Sequence, residues 1–354
     1  MIHSPLHPQQ FTATCKRLTY TCKGDSMTGA TLKDIAREAN VSIASASRAV
    51  NGLDNVADDV KQRVLEIAKR LRYVPHGGAR ALVMSRTNTI GVLLPDIYGE
   101  FFAEIIRGID VAARARGLHL LVSGSHGTPD EALSIMHAMG GRVDGLLVMS
   151  PFVDSHDLAA VLPANLPVVT IASRIGADQG SISIDNFGGG VTAAAHLRDQ
   201  RCLRPAHISG PSHNFEAQER QRGFLSTFNG EAPQVFEGDF TEESGYRGAK
   251  ALLAGNERPD GIFAANDMMA VGCLLALREA GLNVPEDVAV IGFDDIPIAR
   301  FTSPPLTTLR VGIFDLGRRG LEMLVAALEA GEQTAHEGII VAPELVMRDS
   351  SRHK

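Results

Sequence analysis

The sequence predicts an all-α helix-turn-helix head followed by an α/β body built from two doubly wound parallel-sheet subdomains. Two patterns and one asymmetry predict this. From Thr31 to Tyr73, apolar residues recur at helical spacing in three short runs, with a four-residue turn between the first two. From Thr89 onward, short apolar segments bounded by turn residues alternate with amphipathic helical stretches, as in parallel sheets covered by helices on both faces. Charge divides the same way. Thr28 to Thr87 holds ten Lys/Arg against six Asp/Glu, in a chain of 354 residues with a net charge of −7. A basic head on an acidic body points to a polyanion partner at one end.

Residues 1–29 are polar, carry Pro5 and Pro8 and lack an apolar h-region, so they read as a disordered tail and not as a secretory signal, with Met27 available as an alternative start. The head spans 30–74. "TLKDIAREA" opens with Thr31 as N-cap and sets Leu32, Ile35, Ala36 and Ala39 on one face. "NVS" turns, Ser42 caps a second helix of about Ile43 to Val50, and Gly52 supplies a left-handed residue to end it. The third helix, about Ala57 to Leu71, repeats Val60, Val64, Ile67, Ala68 and Leu71. In the second helix Val41, Ala46 and Val50 can pack inward, leaving Ile43, Ala44, Ser45, Ser47 and Arg48 more outward. Small residues let a partner's backbone approach, hydroxyls bond phosphates or base edges, and an arginine can pair bidentately with guanine. Such a helix suits a DNA major groove, where N-terminal residues meet the bases.

Residues 75–87 form a hinge linker. Pro75, Gly77 and Gly78 interrupt any helix, and "ARALVMS" can form one or two turns when supported. In the body, 88–354, the strands expected are "TIGVLLP", "HLLVSG", "DGLLVMS", "PVVTIAS", "AHISG", "DGIFAAN" and "DVAVIGFDD". The set divides near "SIDNFGGG", giving subdomains of about 88–187 plus 310–328 and about 188–309 plus 329–347. Ligand contacts are expected where strand C-terminal ends face one another across a cleft.

Other classes of function fit poorly. No run of 18 apolar residues is present, so nothing is expected to span a membrane. Cys15, Cys22, Cys202 and Cys273 make no CxxC and no zinc spacing, and read as free thiols of a reducing cytoplasm. The glycines of "FGGG" lack the lysine and spacing of a phosphate loop, and neither GxSxG nor HExxH occurs, so neither an enzyme nor a cofactor is expected. A solute-binding receptor would share the body, but it needs a secretion signal and has no use for a basic head.

"TLKDIAREANVSIASASRAVNG", followed by "RVLEIAKRLRYVPHGGARAL", closely resembles the DNA-binding head of the lactose-repressor/galactose-repressor family of bacterial transcription regulators. "TIGVLLPDIYGEFFAEIIRGI", "VDGLLV", "ERQRGF", "PDGIFAANDMMAVGCLLALREAGLNVPEDVAVIGFDD" and "PPLTTLR" resemble that family's periplasmic-binding-protein-like effector domain. The resemblance covers roughly Thr31 to Met347. It implies a homodimer that binds a palindromic double-stranded operator and responds to a small molecule, a sugar or sugar derivative, held between the subdomains. The chain's end carries no leucine heptads, which favours a dimer over a coiled-coil tetramer.

The resemblance also implies roles. Ile43 and Ala44 occupy specificity-setting positions. Ser45, Ser47, Arg48 and Asn51 match general DNA contacts, with Thr31 and Ser42 in the same set. Ala79, Arg80 and Leu82 match a hinge helix that orders on DNA, Leu82 being the minor-groove wedge, although Leu82 also reads as a core residue of the body. Here His76 stands where asparagine is common, and Gly77–Gly78 raise the cost of ordering that helix by about 1 kcal/mol per glycine. In the body, Arg220, Asn266 and Asp294 match ligand contacts, and Phe101 and Phe102 can supply an aromatic wall. Arg220 also reads as an interdomain ion pair, Asp267 as a helix N-cap, Asp295 as structural and Asp185 as a crossover group. "DIYGEFF" departs from the Asn-Pro often seen before the phenylalanines, and Val311 sits where many relatives carry glutamine.

Overall fold

The computed structural model describes residues 30–53, 55–74, 86–126, 128–151, 166–172, 180–228, 230, 232–255, 257–330 and 338–351. The chain divides into two compact units, Met1–Val83 and Met84–Lys354.

In the first unit, helices α1 (Leu32–Glu38), α2 (Ile43–Val50) and α3 (Asp58–Arg70) enclose a small core. Ile35, Ala36, Ala39, Ala46, Ala49, Val64, Ile67 and Ala68 are buried in it, with Val41 and Val50 packed at its edge. Thr31 closes a capping box: its Oγ accepts from the Asp34 amide at 3.3 Å, while its own amide donates to the Asp34 carboxylate at 3.0 Å. Ser42 Oγ accepts from the Ser45 amide at 3.0 Å and so caps α2. Gly52, at φ 70°, turns the chain out of α2 in the left-handed conformation that costs glycine least.

The second unit holds two parallel sheets. The first has the order β11-β5-β4-β3-β1-β2: β1 Thr89–Leu94, β2 His119–Gly124, β3 Gly145–Val148, β4 Val168–Ile171, β5 Ser181–Ile184 and β11 Ile339–Val341. The second has the order β7-β6-β8-β9: β6 Pro205–Ser209, β7 Gln234–Glu237, β8 Gly261–Ala264 and β9 Ala289–Ile291. Central strands β1, β3, β4 and β8 are almost wholly buried, which is why they read as unbroken apolar runs, whereas edge strand β2 alternates. Helices α4 (Glu100–Arg114), α5 (Pro129–Met139) and α10 (Ile313–Ala330) flank the first sheet, and α6 (Asn186–Asp199), α7 (Phe215–Leu225), α8 (Glu242–Leu253) and α9 (Asp267–Glu279) the second. Two short antiparallel strands, β10 (Thr308–Arg310) and β12 (Glu344–Val346), lie where the chain crosses between subdomains.

Three helix pairs meet at glycines. A Cβ at Gly108 would run into the Phe314 carbonyl, and one at Gly317 into that of Ile105. Gly190 and Gly223 do the same for α6 and α7, as do Gly245 and Gly272 for α8 and α9.

The structure corrects one boundary. The sequence places 329–347 with the second subdomain, whereas β11 pairs parallel with β5 through Ile339–Ile182, Ile340–Ser183 and Val341–Ile184, inside the first sheet. The chain therefore passes between subdomains at 184–186, again near β10, and a third time between β11 and β12. Strands β5 and β7 and the short β10 to β12 were not among those expected.

Candidate functional site: a DNA-reading helix and a ligand cleft

Helix α2 projects Ile43, Ala44 and Arg48 into solvent, with Ser45 and Ser47 half-buried beside them. Ile43 is 48% exposed, a large apolar side chain left uncovered on a very small domain. Arg48 has no carboxylate partner among the described residues. Asn51 Nδ2 donates to Ser47 Oγ at 3.4 Å, tying those two together at the helix end. The first turns of α1 and α3 carry Asp34 and Asp58–Asp59, but that of α2 carries no acid. Its positive end is therefore left open to an external anion. Thr31 and Ser42 are spent first on their caps. Ala79, Arg80 and Leu82 lie outside the described residues.

In the body, a cavity of about 510 Å³ opens at the C-terminal ends of the strands. Phe101 and Phe102, on the first turn of α4, form one wall with their rings edge to face at 5.4 Å. The floor comes from the second subdomain. Arg220 on α7 is 5% exposed and held in place from three sides. Its Nε donates to Asn186 Oδ1 at 2.6 Å, its Nη1 to the Ala265 carbonyl at 2.6 Å, and its guanidinium lies 3.8 Å above the Phe293 ring. Nη2 remains, 3.8 Å from Asp294 Oδ1. That oxygen is buried and has no hydrogen-bond partner. Asp294 follows β9 at φ 111°, a conformation side chains rarely adopt, and the turn that imposes it aims the carboxylate into the cavity. Burial pushes its carboxyl up to about 7; Arg220 pulls it down and Glu216 raises it further.

Asn266 lines the cavity and is the N-cap of α9, accepting from the Met269 amide at 3.0 Å and donating to the Phe240 carbonyl at 3.0 Å. The cap expected at Asp267 is thus one residue earlier. Asp267 is wholly buried behind the floor, accepting from the Ile296 amide at 2.9 Å and Thr308 Oγ at 2.5 Å, and burial raises its carboxyl well above the usual range. Asp295 binds Arg310 at 2.7 Å and Arg348 at 2.5 Å, a structural clamp on the crossing strands, and Asp185 caps α6 through the Gly188 amide at 2.8 Å. Arg220 makes no interdomain pair here, since both acids near it, Asp294 and Glu216, belong to the second subdomain.

Two floor residues were not singled out from the sequence. Glu216, 7% exposed in the first turn of α7, lines the cavity and accepts from Asn186 Nδ2. Burial raises its carboxyl, opposed by Arg220. Asn186, at the first crossing, joins Glu216 to Arg220. The available signal was the four-residue spacing of Glu216 and Arg220, which puts both on one helix face. Behind them His207, stacked between Phe224 and Phe263, is pushed down to about 4 by burial and stays neutral.

The family model of bacterial regulatory proteins, lacI family, matches residues 31–76, and that of the periplasmic binding protein-like domain matches 194–351. The chain is 36% identical over 330 residues to the HTH-type transcriptional repressor PurR of Mannheimia succiniciproducens, spanning 91% of this chain and 98% of that protein. It is 32% identical over 324 residues to catabolite control protein A of Priestia megaterium, spanning 89% and 97%. Among solved structures, the lac repressor dimer bound to operator and the anti-inducer ONPF matches with a TM-score of 0.80 at 26% identity, over 91% of this chain and 99% of that one. A DNA-reading head and a two-subdomain cleft on one chain define a transcriptional regulator under small-molecule control. The chain belongs to the lacI family of bacterial regulatory proteins.

Among the described residues, no helix is long and apolar enough to cross a membrane.

Proposed function

We propose that the protein is a cytoplasmic, homodimeric repressor without catalytic activity, whose affinity for a palindromic operator changes when a sugar or sugar derivative fills the cleft. The observation that carries this reading is the floor: a buried carboxylate oxygen on Asp294 without a hydrogen-bond donor, with Arg220 Nη2 3.8 Å away. A hydroxyl that donates to one and accepts from the other fits there, against the aromatic wall of Phe101 and Phe102, with Asn266 at the rim. On the DNA side, Ile43 and Ala44 choose the sequence through apolar contact, such as with a thymine methyl. Ser45, Ser47, Arg48 and Asn51, with the capped ends at Thr31 and Ser42, hold the backbone and bases. Ala79, Arg80 and Leu82 are the linker contacts to DNA, with Leu82 opening the minor groove at the operator centre. Effector closes the cleft, the first subdomains of the dimer rotate, and the paired linkers no longer engage the operator. A coupling of about 1–3 kcal/mol changes operator affinity by about fivefold to 150-fold.

The test is a random-operator selection with the full chain at two salt concentrations. A palindromic consensus, steep weakening with salt, and a loss of about tenfold to a hundredfold in Arg48→Ala are expected. Binding without a consensus, or a flat salt dependence, overturns the reading.

A further inference from the structure

The floor of the cleft sets two carboxyl groups against one guanidinium. Two buried carboxylates, Glu216 and Asp294, share one guanidinium, and two of the three Arg220 nitrogens are already committed to Asn186 and Ala265. Toward the mouth the lining adds Asp96 and Asp239, with His126 and His213 as its other titratable groups. Asp96 accepts from the amides of Ile97 and Tyr98 at 2.6 and 3.0 Å, and Asp239 from Thr241, with Arg247 3.6 Å away. At the mouth those acids are locally answered. At the floor Glu216 accepts from Asn186 Nδ2, but Asp294 Oδ1 has no hydrogen-bond donor.

We propose that Glu216 is the residue that sets the charge of the effector, so that the cleft takes a hydrogen-bond-donating ligand without negative charge, an uncharged polyol or its aminated counterpart, and turns away phosphorylated and carboxylated ones. This rests on the cleft being the effector site. Asp294 Oδ1 needs a donor, which a hydroxyl or an ammonium facing it supplies and an ionised phosphate or carboxylate group in that place does not. Arg220 Nη2 offers a donor, but an anion drawn to it stands beside both Glu216 and Asp294, and each of them repels it when ionised. Glu216 does not leave the floor to relieve this, because Asn186 Nδ2 holds it.

The experiment is isothermal titration of the full-length protein with D-ribose, D-glucose and myo-inositol, and with glucosamine, ribose 5-phosphate, glucose 6-phosphate and gluconate. Binding is expected among the uncharged and aminated probes, and at least tenfold weaker or absent for each anionic counterpart. The comparison of uncharged with aminated members shows which of the two the floor prefers. Glu216→Gln keeps the side chain's size and an acceptor for Asn186 but removes the charge. It should narrow the gap between a sugar and its phosphate by about tenfold to a hundredfold, the size expected for one like charge within about 6 Å at an effective dielectric of about 20. An unchanged far-ultraviolet circular dichroism spectrum checks that the variant folds, and the wild-type series stands without it. A phosphorylated or carboxylated probe that binds more tightly than its parent overturns the proposal. So does an equal loss for all probes in Glu216→Gln, which would make Glu216 a mere support for Asn186. No binding by any probe, with selective operator binding intact, overturns the ligand class and leaves the DNA-binding regulator standing.

Discussion

Asp294→Asn should make the unliganded protein more stable, and more so at alkaline pH. The folded protein keeps the Asp294 proton up to about pH 7, while an unfolded chain loses it near 3.8. Between those values the folded state binds more protons than the unfolded one, so this carboxyl makes stability fall as pH rises through the window and level off above it. At about 1.4 kcal/mol per pH unit the whole window is worth roughly 4 kcal/mol, and the part between pH 5 and pH 8 roughly 3 kcal/mol. The variant removes that cost. It also leaves one guanidinium facing one acid, and asparagine tolerates the positive φ of residue 294 at least as well as aspartate. The backbone gain is independent of pH, so the pH-dependent difference isolates the charge. His207 slopes the other way, its depressed pKa favouring the folded state as pH rises from about 4 to 6.5, but it is common to both proteins and cancels. The assay is urea denaturation of wild type and variant at pH 5 and pH 8, without effector. The variant should gain about 2–4 kcal/mol more at pH 8 than at pH 5. An equal difference at both values refutes the ionisation argument. The same variant should lose effector binding.

Two further variants probe the elements that hold the sites. Ser42→Ala removes the acceptor for the Ser45 amide and should cost the head about 1 kcal/mol, seen as faster amide exchange through α2 in the full chain. Ser42→Asp should restore the cap while weakening operator binding through its charge, and parallel changes in exchange and operator affinity would refute that separation. Gly223→Ala sets a methyl against the Phe187 carbonyl, and prising α7 from α6 should cost about 1–3 kcal/mol by thermal melting. It should also weaken effector binding, because Arg220 lies one turn earlier on the same helix, and unchanged affinity would mean that the floor does not depend on this crossing.

What could be read from the sequence was whatever short-range chemistry determines. Thr31, Ser42 and Gly52 are legible as caps because a hydroxyl or a missing Cβ acts on its own neighbours. The strand–helix alternation is legible because buried parallel strands must be apolar throughout. Asn266 and Asp267 could not be ordered, since both residue types cap helices and only the packing of Thr308 and Ile296 around Asp267 decides between them. Glu216 looks like an ordinary first-turn acid, and what buries it is the meeting of α7 with the first crossing at Asn186, some thirty residues away. Strand β11 is three residues long and finds its partner more than 150 residues back in the chain, which no local pattern encodes.

The floor of the cleft is also built into the hinge. Asn186, which positions Arg220, stands at the first crossing between subdomains. At the second, Thr308 bonds Asp267, the Asp294 amide donates to the Leu309 carbonyl at 2.8 Å, and Arg310 pairs with Asp295. Beyond the third, Arg348 joins the same Asp295. Every polar group at the floor nevertheless belongs to the second subdomain, so a ligand held by Arg220 and Asp294 alone binds open and closed clefts alike and shifts neither. Population shift requires a difference in affinity between the two states. That difference must come from the lining carried by the first subdomain, in which Phe101 and Phe102 form the wall. A compound that fills the floor but falls short of that wall would occupy the site, displace the true effector and leave operator affinity unchanged. In Phe101→Ala or Phe102→Ala, signalling should accordingly fall further than binding.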